Sequence, residues 1–134
     1  TDRWLRQPEP EGYANRSLVK YRLIIDEFGG WQAFQNLLET MRDIASRRGV
    51  ETSAVAIRWV LDQPGVAAVI SGGTRLGQMA RNAAAFDFEF SDEDREALRT
   101  HVDRAPGPSG DVFELERDRD GPHGRIMKYD LNRD

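Results

Sequence analysis

The fold of this chain depends on the stretch Val66-Ala67-Ala68-Val69-Ile70-Ser71-Gly72-Gly73, near the middle of its 134 residues. Residues 66–70 form a short apolar run that is bounded by glycines on both sides. Such a run is typical of a strand that is covered on both faces of a parallel sheet. Helical periodicity lies before and after it, so the order helix, strand, glycine turn, helix predicts part of an α/β fold.

A lone parallel strand is not stable, because its backbone groups and both apolar faces would lie open. Two interpretations follow. Either partner strands come from sequence outside this chain, or the chain is all-helical and residues 66–70 are a buried loop. The chain begins at Thr1 rather than Met and has no signal-peptide pattern, which favours the first interpretation.

Three helices are predicted before the strand. Ser17 is the expected N-cap of the first helix, and Gly29-Gly30 ends it. The second helix ends at Gly49, and the third begins near Thr52 or Ser53 and should be well buried. The second helix has the clearest apolar stripe, which consists of Trp31, Phe34, Leu37, Leu38, Met41, Ile44 and Ala45.

Two more helices are predicted after the strand. Ser91 and Asp94 have the spacing of a capping box at the start of the last helix. Beyond Ala105, breakers such as Pro106 and Gly107 predict a loop or tail. The helix after the glycine turn should place four apolar residues on one face: Leu76, Met79, Ala80 and Ala83.

Composition excludes several classes of function. The net charge of -4 is spread over interleaved acidic and basic residues, which does not suit nucleic-acid binding. The absence of cysteine excludes disulfides and thiolate sites and fits a cytoplasmic protein. His101 and His123 lack metal-ligand spacing, so no metal site is expected. No apolar run approaches the roughly 20 residues of a membrane span.

The glycine turn is the richest candidate site. Backbone N–H groups at a helix N-terminus attract anions such as phosphate, and Thr74 and Arg75 would add a hydroxyl group and a guanidinium. The alternative is an ordinary strand-to-helix turn, in which Gly72 and Gly73 supply only backbone freedom. The stretch matches neither a dinucleotide fingerprint nor a P-loop.

Several short segments carry a resemblance when they are taken in order: A-I-R-W-V-L at 56–61, Q-P-G-V at 63–66, V-I-S-G at 69–72, Q-M-A-R-N at 78–82 and F-D-F-E-F-S-D-E-D at 86–94. Together they resemble the C-terminal part of the aldo-keto reductase family. Segments 16–21 and 110–113 are similar to one subgroup of that family.

The resemblance implies the C-terminal portion of a (β/α)8 TIM barrel, mostly helical here, with one or more short strands. Residues 66–70 would be the last barrel strand. Residues 1–16 would be a loop from the substrate side, 17–104 the C-terminal barrel helices with that strand, and 105–134 the C-terminal loop or tail.

The resemblance also implies an oxidoreductase that uses NAD(P)H and acts on small aldehydes, ketones or alcohols. This chain would contribute the phosphate and adenine end of an NADP site. Gly72 stands where the family often has Lys, and Arg75 lies one place after the family's usual cation, so NAD stays possible. The implied cofactor-binding residues are Ser71, Gly72, Gly73, Thr74, Arg75, Gln78, Arg81 and Asn82.

The family's catalytic Asp, Tyr, Lys and His are expected upstream of Thr1, so no catalytic residue is assigned and the chain alone should be inactive. Trp4, Phe113 and Tyr129 could line a substrate pocket, although a frayed tail is an equal alternative for the last two. The alternative function is a stand-alone helical interaction module without catalysis, which would bind a partner through the apolar stripe or the tail.

Overall fold

The computed structural model describes residues 2–127, with the side chains of Asp2 and Val112 excepted. None of the helices in this part of the chain has the length and apolar character that a membrane span requires. Short 3-10 helices lie at Asp2–Trp4 and Ala84–Phe86. The α-helices of residues 2–127 are α1 (Arg16–Phe28), α2 (Gly30–Arg48), α3 (Thr52–Leu61), α4 (Gln78–Ala83), α5 (Asp92–Arg104), α6 (Val112–Arg117) and α7 (Pro122–Arg125).

The predicted α/β class is wrong, and with it the assignment as a portion of a (β/α)8 barrel. Residues 66–70 are irregular, and no strand or sheet occurs within residues 2–127. A strand exists only where a second strand completes its hydrogen-bond ladder, and the described residues offer none. The all-helical alternative also expected a buried loop here, whereas Ala67 and Ala68 are exposed and Ile70 is fully exposed.

The chain divides into two compact units. The first unit contains residues 2–7 and Gln35–Asp103, and the second contains Pro8–Phe34 and residues 104–127. Helix α2 contributes residues to both units, since the division falls between Phe34 and Gln35. The glycine turn and its surroundings belong entirely to the first unit.

The core of the first unit is formed by one face each of α2, α3 and α5. Five of the seven stripe residues of α2 belong to this unit, and none of these five is exposed: Leu37, Leu38, Met41, Ile44 and Ala45. The rings of Phe88 and Phe90 pack edge to face with centroids 5.4 Å apart. Helix α3 is less buried than predicted, because Val60 is 42% exposed. The buried core residues are Ile44, Ala45, Val55, Phe90 and Leu98.

Helix ends agree with the sequence where glycine decides them. Gly29 and Gly49 have positive φ values of 125° and 68° and follow α1 and α2, as predicted. The predicted starts are less accurate. Asn15, not Ser17, caps α1 by accepting a hydrogen bond from the Leu18 N–H at 3.0 Å. Helix α4 begins at Gln78, which leaves Leu76 outside the helix and fully exposed.

The capping box at the start of α5 is confirmed in both directions. The Asp94 N–H donates to Ser91 Oγ at 3.2 Å, and the Ser91 N–H donates to Asp94 Oδ2 at 3.3 Å. The same carboxylate accepts from Arg47 Nη2 at 2.7 Å and from Arg48 Nε at 3.1 Å, so it joins α5 to the C-terminus of α2. Asp94 is only 2% exposed. The two guanidinium groups compensate the charge of this buried carboxylate.

The second unit is held together by polar contacts between α1 and the helices near the C-terminus. Lys20 Nζ donates to Glu116 Oε1 at 2.7 Å, which links α1 to α6. His123, which is 3% exposed, lies with its Nε2 2.9 Å from Glu27 Oε1 and links α7 to α1. Both links join residues that are far apart in sequence, so they stabilise the second unit.

Replacing Asp94 with Asn should lower the free energy of unfolding by about 2 kcal/mol, because one ionised group is lost from two guanidinium contacts. Burial alone raises the pKa of Asp94, but the hydrogen bonds from Arg48, Arg47 and the Ser91 N–H outweigh burial and lower the pKa from 3.8 to about 2. A folded-state pKa below the unfolded value means that the carboxylate stabilises the fold above about pH 4 and loses this effect as the pH falls toward 2.

Urea unfolding of wild type and Asp94→Asn between pH 7 and pH 2 measures this contribution. The difference in stability between the two proteins should be largest near neutral pH and shrink below pH 4. The control is Asp103→Asn, which changes an exposed carboxylate on the same helix. Equal stability of Asp94→Asn and wild type at pH 7 would contradict the prediction.

Candidate functional site

An apolar cleft of about 440 Å³ lies in the first unit, between α3, α4 and the irregular segment that follows residue 66. Its volume is within the usual range for small-molecule sites, about 300–1,000 Å³. Its polar side chains are those of Ser71 and Asn82, and its other lining residues are Ile57, Leu61, Ala67, Ala68, Val69, Met79, Ala83 and Phe86. Apolar walls with one polar pair suit a flat, largely apolar ligand that has a hydrogen-bonding edge.

Ser71 and Asn82 form a direct hydrogen bond in this cleft. Asn82 Nδ2 donates to Ser71 Oγ at 2.8 Å, and both residues are half-buried. An asparagine amide has two donor hydrogens and one acceptor oxygen, so this bond leaves one hydrogen and Oδ1 available. The pair therefore presents a donor and an acceptor side by side to a ligand.

A second side-chain bond from α4 shapes the turn of residues 72–77, which we call the glycine loop. The Thr74 N–H donates to Gln78 Oε1 at 3.0 Å, and the Gln78 N–H donates to Arg75 O at 3.1 Å. Gly77 has a φ of 77°, which a residue with a side chain adopts only at a cost. The Thr74 N–H is therefore already bonded, and α4, with six residues, begins only after the loop.

The two arginines of this region differ in their surroundings. Arg81 Nε lies 3.0 Å from Glu51 Oε1, and its Nη1 would be 3.2 Å from a Cβ added at Gly77. Arg75 is exposed and forms no ion pair with any residue from 2 to 127. Arg75 is therefore the cation of the glycine loop whose charge is available to an anionic ligand.

The other predicted site residues lie as follows. Gly72 and Gly73 are exposed in the glycine loop, and a Cβ at Gly73 would be 2.9 Å from Met79 Sδ. Trp4 belongs to the first unit, where its carbonyl accepts from Gln35 Nε2 at 2.8 Å, and it does not line the cleft. Phe113 belongs to the second unit and is 71% exposed. Tyr129 lies outside the described residues.

Both histidines form contacts within the fold. His101 Nε2 lies 2.8 Å from Thr40 Oγ1, and His123 contacts Glu27 as described above. Within residues 2–127, no group of three or more His, Cys, Asp or Glu side chains is placed to hold a metal ion.

Comparison with known proteins assigns the family. The sequence model of the aldo/keto reductase family matches residues 3–103. The chain belongs to the aldo/keto reductase family. An uncharacterized oxidoreductase of Mycobacterium bovis and two of Mycobacterium tuberculosis are each 40% identical to it over 62 residues. That match covers 46% of this chain and 19% of each relative. No solved structure matches the chain significantly.

The apolar walls of the cleft were missed by the sequence analysis, although Ser71 and Asn82 were named. Ile57 and Leu61 are four residues apart on α3 and contribute to one wall. Their spacing was a usable signal, because residues four apart share a helix face. The ion pair of Arg81 with Glu51 had no such signal, since it joins residues that are distant in sequence.

Gln78 should hold the glycine loop through its side-chain oxygen. Gln78→Ala removes the acceptor of the Thr74 N–H, so that amide should exchange with solvent about fivefold faster, as expected when a bond worth roughly 1 kcal/mol is lost. Gln78→Glu keeps an acceptor oxygen and should preserve protection. Hydrogen exchange followed by NMR measures both variants. Unchanged exchange of Thr74 in Gln78→Ala would show that this bond does not protect the amide.

Proposed function

We propose that this chain forms the adenine and 2′-phosphate end of an NADP site in an oxidoreductase that acts on aldehydes, ketones or alcohols. The observation that carries the proposal is the apolar cleft with its single polar pair, which adjoins the glycine loop, where Arg75 forms no ion pair with the described residues. Membership of the aldo/keto reductase family and the oxidoreductase names of the relatives support the class of reaction.

The cleft fits an adenine ring by its chemistry. A purine has two apolar faces, which the side chains of Ile57, Val69 and Phe86 would cover, and a polar edge. Asparagine recognises the edge of adenine by accepting from its 6-amino group and donating to N7. Asn82 retains both functions beside its bond to Ser71, so it is the residue that would read the base.

Arg75 would supply the charge for the 2′-phosphate. Its guanidinium is planar and permanently ionised, and it forms two parallel hydrogen bonds with a phosphate. Arg81 is less suited, because Glu51 already compensates its charge. With Arg75 as the only unpaired cation of the glycine loop within the described chain, affinity for NADP rather than NAD would depend on this one residue.

The role of the chain in the reaction is to bind and orient the cofactor. The nicotinamide of a bound NADP supplies the hydride chemistry. Among residues 2–127, Lys20 is paired with Glu116, and both histidines are engaged with neighbours. The described residues that line the cleft include no histidine, lysine, tyrosine or carboxylic acid, and we propose that catalysis requires residues beyond those described here.

The alternative of a stand-alone interaction module has weaker support. It relied in part on the α2 stripe as a docking face, but those residues pack inward and none of them is exposed. Exposed apolar side chains do line the cleft, among them Met79 and Phe86. They lie beside the proposed ligand site, so they are consistent with the cofactor proposal as well.

Arg75→Ala should weaken binding of adenosine 2′,5′-bisphosphate by about tenfold, since one charge-assisted contact is lost, and should leave binding of 5′-AMP nearly unchanged. Isothermal titration calorimetry of the 134-residue chain measures both affinities. The matched control is Arg99→Ala, an exposed arginine on α5. If Arg75→Ala and Arg99→Ala bind the bisphosphate equally well, Arg75 does not hold the 2′-phosphate.

The 134-residue chain alone should not oxidise NADPH in the presence of aldehydes, because the described residues that line the cleft include no histidine, lysine, tyrosine or carboxylic acid. The measurement is NADPH absorbance at 340 nm with an aliphatic and an aromatic aldehyde. Binding of adenosine 2′,5′-bisphosphate in the same preparation serves as the control for a folded site. Aldehyde-dependent turnover would contradict the proposed division of roles.

A further inference from the structure

We infer that the second unit carries a ligand site of its own, which binds a small zwitterion with the chemistry of an apolar α-amino acid. The inference goes beyond the proposed function, because this cleft shares no residue with the cofactor cleft and belongs to the other unit. Its volume is about 290 Å³, close to the lower limit of small-molecule sites, so its ligand has to be small. Its lining residues lie on α1, α6 and α7 and are Ser17, Lys20, Tyr21, Ile24, Glu116 and His123.

One face of α1 forms most of the wall of this second cleft. Its four lining residues recur at intervals of three and four, so they share one side of the helix. Ile24 makes part of this face apolar, and Tyr21, which is 63% exposed, adds the surface of its ring. Ser17 and Lys20 make the rest of the face polar. The wall therefore offers an apolar and a polar region to one ligand.

Lys20 supplies donors for a ligand carboxylate. Its Nζ donates to Glu116 Oε1 at 2.7 Å, and both side chains are only partly exposed. An ammonium group has three donor hydrogens, so two remain beside the bond to Glu116. The exposed Ser17 lies one turn earlier on α1, and toward a carboxylate its hydroxyl acts as a donor, since an ionised carboxylate has no hydrogen to give. A ligand carboxylate can therefore bind here without breaking the ion pair.

His123 supplies an acceptor of defined position. Its Nε2 lies 2.9 Å from Glu27 Oε1, and an ionised carboxylate only accepts, so the hydrogen of this contact belongs to Nε2. The neutral ring then has its acceptor at Nδ1. Glu27 does not line the cleft whereas His123 does, so Nδ1 is the ring nitrogen that remains for a donor on the ligand. An ammonium group is such a donor.

The charges around the second cleft favour one positive group on the ligand. Lys20 and Glu116 compensate each other, whereas Glu27 faces a ring that is neutral when Nδ1 accepts. Glu27 Oε2 is also buried and accepts no hydrogen bond from residues 2–127. Because a buried carboxylate with few partners is unfavourable, an ammonium group beside His123 lowers its free energy.

An apolar α-amino acid combines the groups that the second cleft requires. Its carboxylate would lie beside Lys20 and its ammonium group beside His123, while an aliphatic side chain would cover Ile24. L-Leucine is a suitable probe, because two analogues each lack one of its charged groups. Isocaproate keeps the carboxylate and the side chain, and isoamylamine keeps the ammonium group and the side chain.

Titration of the 134-residue chain with these three compounds, followed by the NMR signals of its amides, tests the inference. L-Leucine should bind at least about tenfold more tightly than either analogue, since each analogue loses one charge-assisted contact. The amides of Lys20, Glu116 and His123 should shift, and those of Ser71 and Asn82 should not. Absence of L-leucine binding, equal affinities for the three compounds, or shifts confined to the cofactor cleft would overturn the inference.

Ser17→Ala tests the polar part of the wall at an exposed position that the fold should tolerate. The variant should bind L-leucine about fivefold more weakly and isoamylamine as wild type does, because only a carboxylate contact is lost. The matched control is Ser46→Ala, at an exposed serine of α2, which should bind both compounds as wild type does. Equal affinities of the two variants for L-leucine would contradict the assigned site.

Adenosine 2′,5′-bisphosphate, titrated into the same preparation, separates the inference from the proposed function. The amides that report the two ligands belong to different units, so each outcome is read independently. Binding of L-leucine without the bisphosphate would support the inference while the proposed function fails. Binding of the bisphosphate without L-leucine would overturn the inference and leave the cofactor site in place.

Discussion

The first unit depends most on the hydrogen bonds that the buried Asp94 carboxylate accepts. Asp94 forms the capping box of α5 together with Ser91. Its carboxylate accepts hydrogen bonds from the guanidinium groups of Arg47 and Arg48 at the end of α2. A buried carboxylate without such partners would be strongly unfavourable, so the two helix ends have to meet at this position. Leu98, which is one turn further along α5, then reaches the core beside Ile44. One charged residue thus determines how two helices enclose the apolar side chains.

The cleft is built differently from the core, because short-range side-chain bonds rather than packing define it. Gln78 and Asn82 are four residues apart on α4 and share one helix face. One of them bonds to Thr74 in the glycine loop and the other to Ser71 before it. A helix of only six residues has little stability of its own, so these two bonds stabilise both the helix and the loop.

Features that depend on short-range interactions were predicted correctly from the sequence, whereas a feature that depends on long-range interactions was not. The ends of α1 and α2 and the capping box of α5 were predicted correctly, because glycine geometry and a three-residue spacing decide them. The strand at residues 66–70 was predicted wrongly, because a ladder partner is a non-local requirement that composition does not reveal. In the candidate site, Ser71 and Asn82 were named from a resemblance, but the bond between them was not predicted.

The sequence by itself determined the helix periodicity, the glycine stops, the absence of thiol chemistry and the order of motifs that marks the aldo/keto reductase family. These properties are local or compositional, so the chain need not fold to reveal them. Only the tertiary structure decided that Glu51 compensates Arg81 while Arg75 forms no ion pair within residues 2–127, and that residues 66–70 border a cleft instead of joining a sheet there. Both outcomes depend on which distant groups meet, since charges and backbone groups are satisfied by proximity in space rather than in sequence.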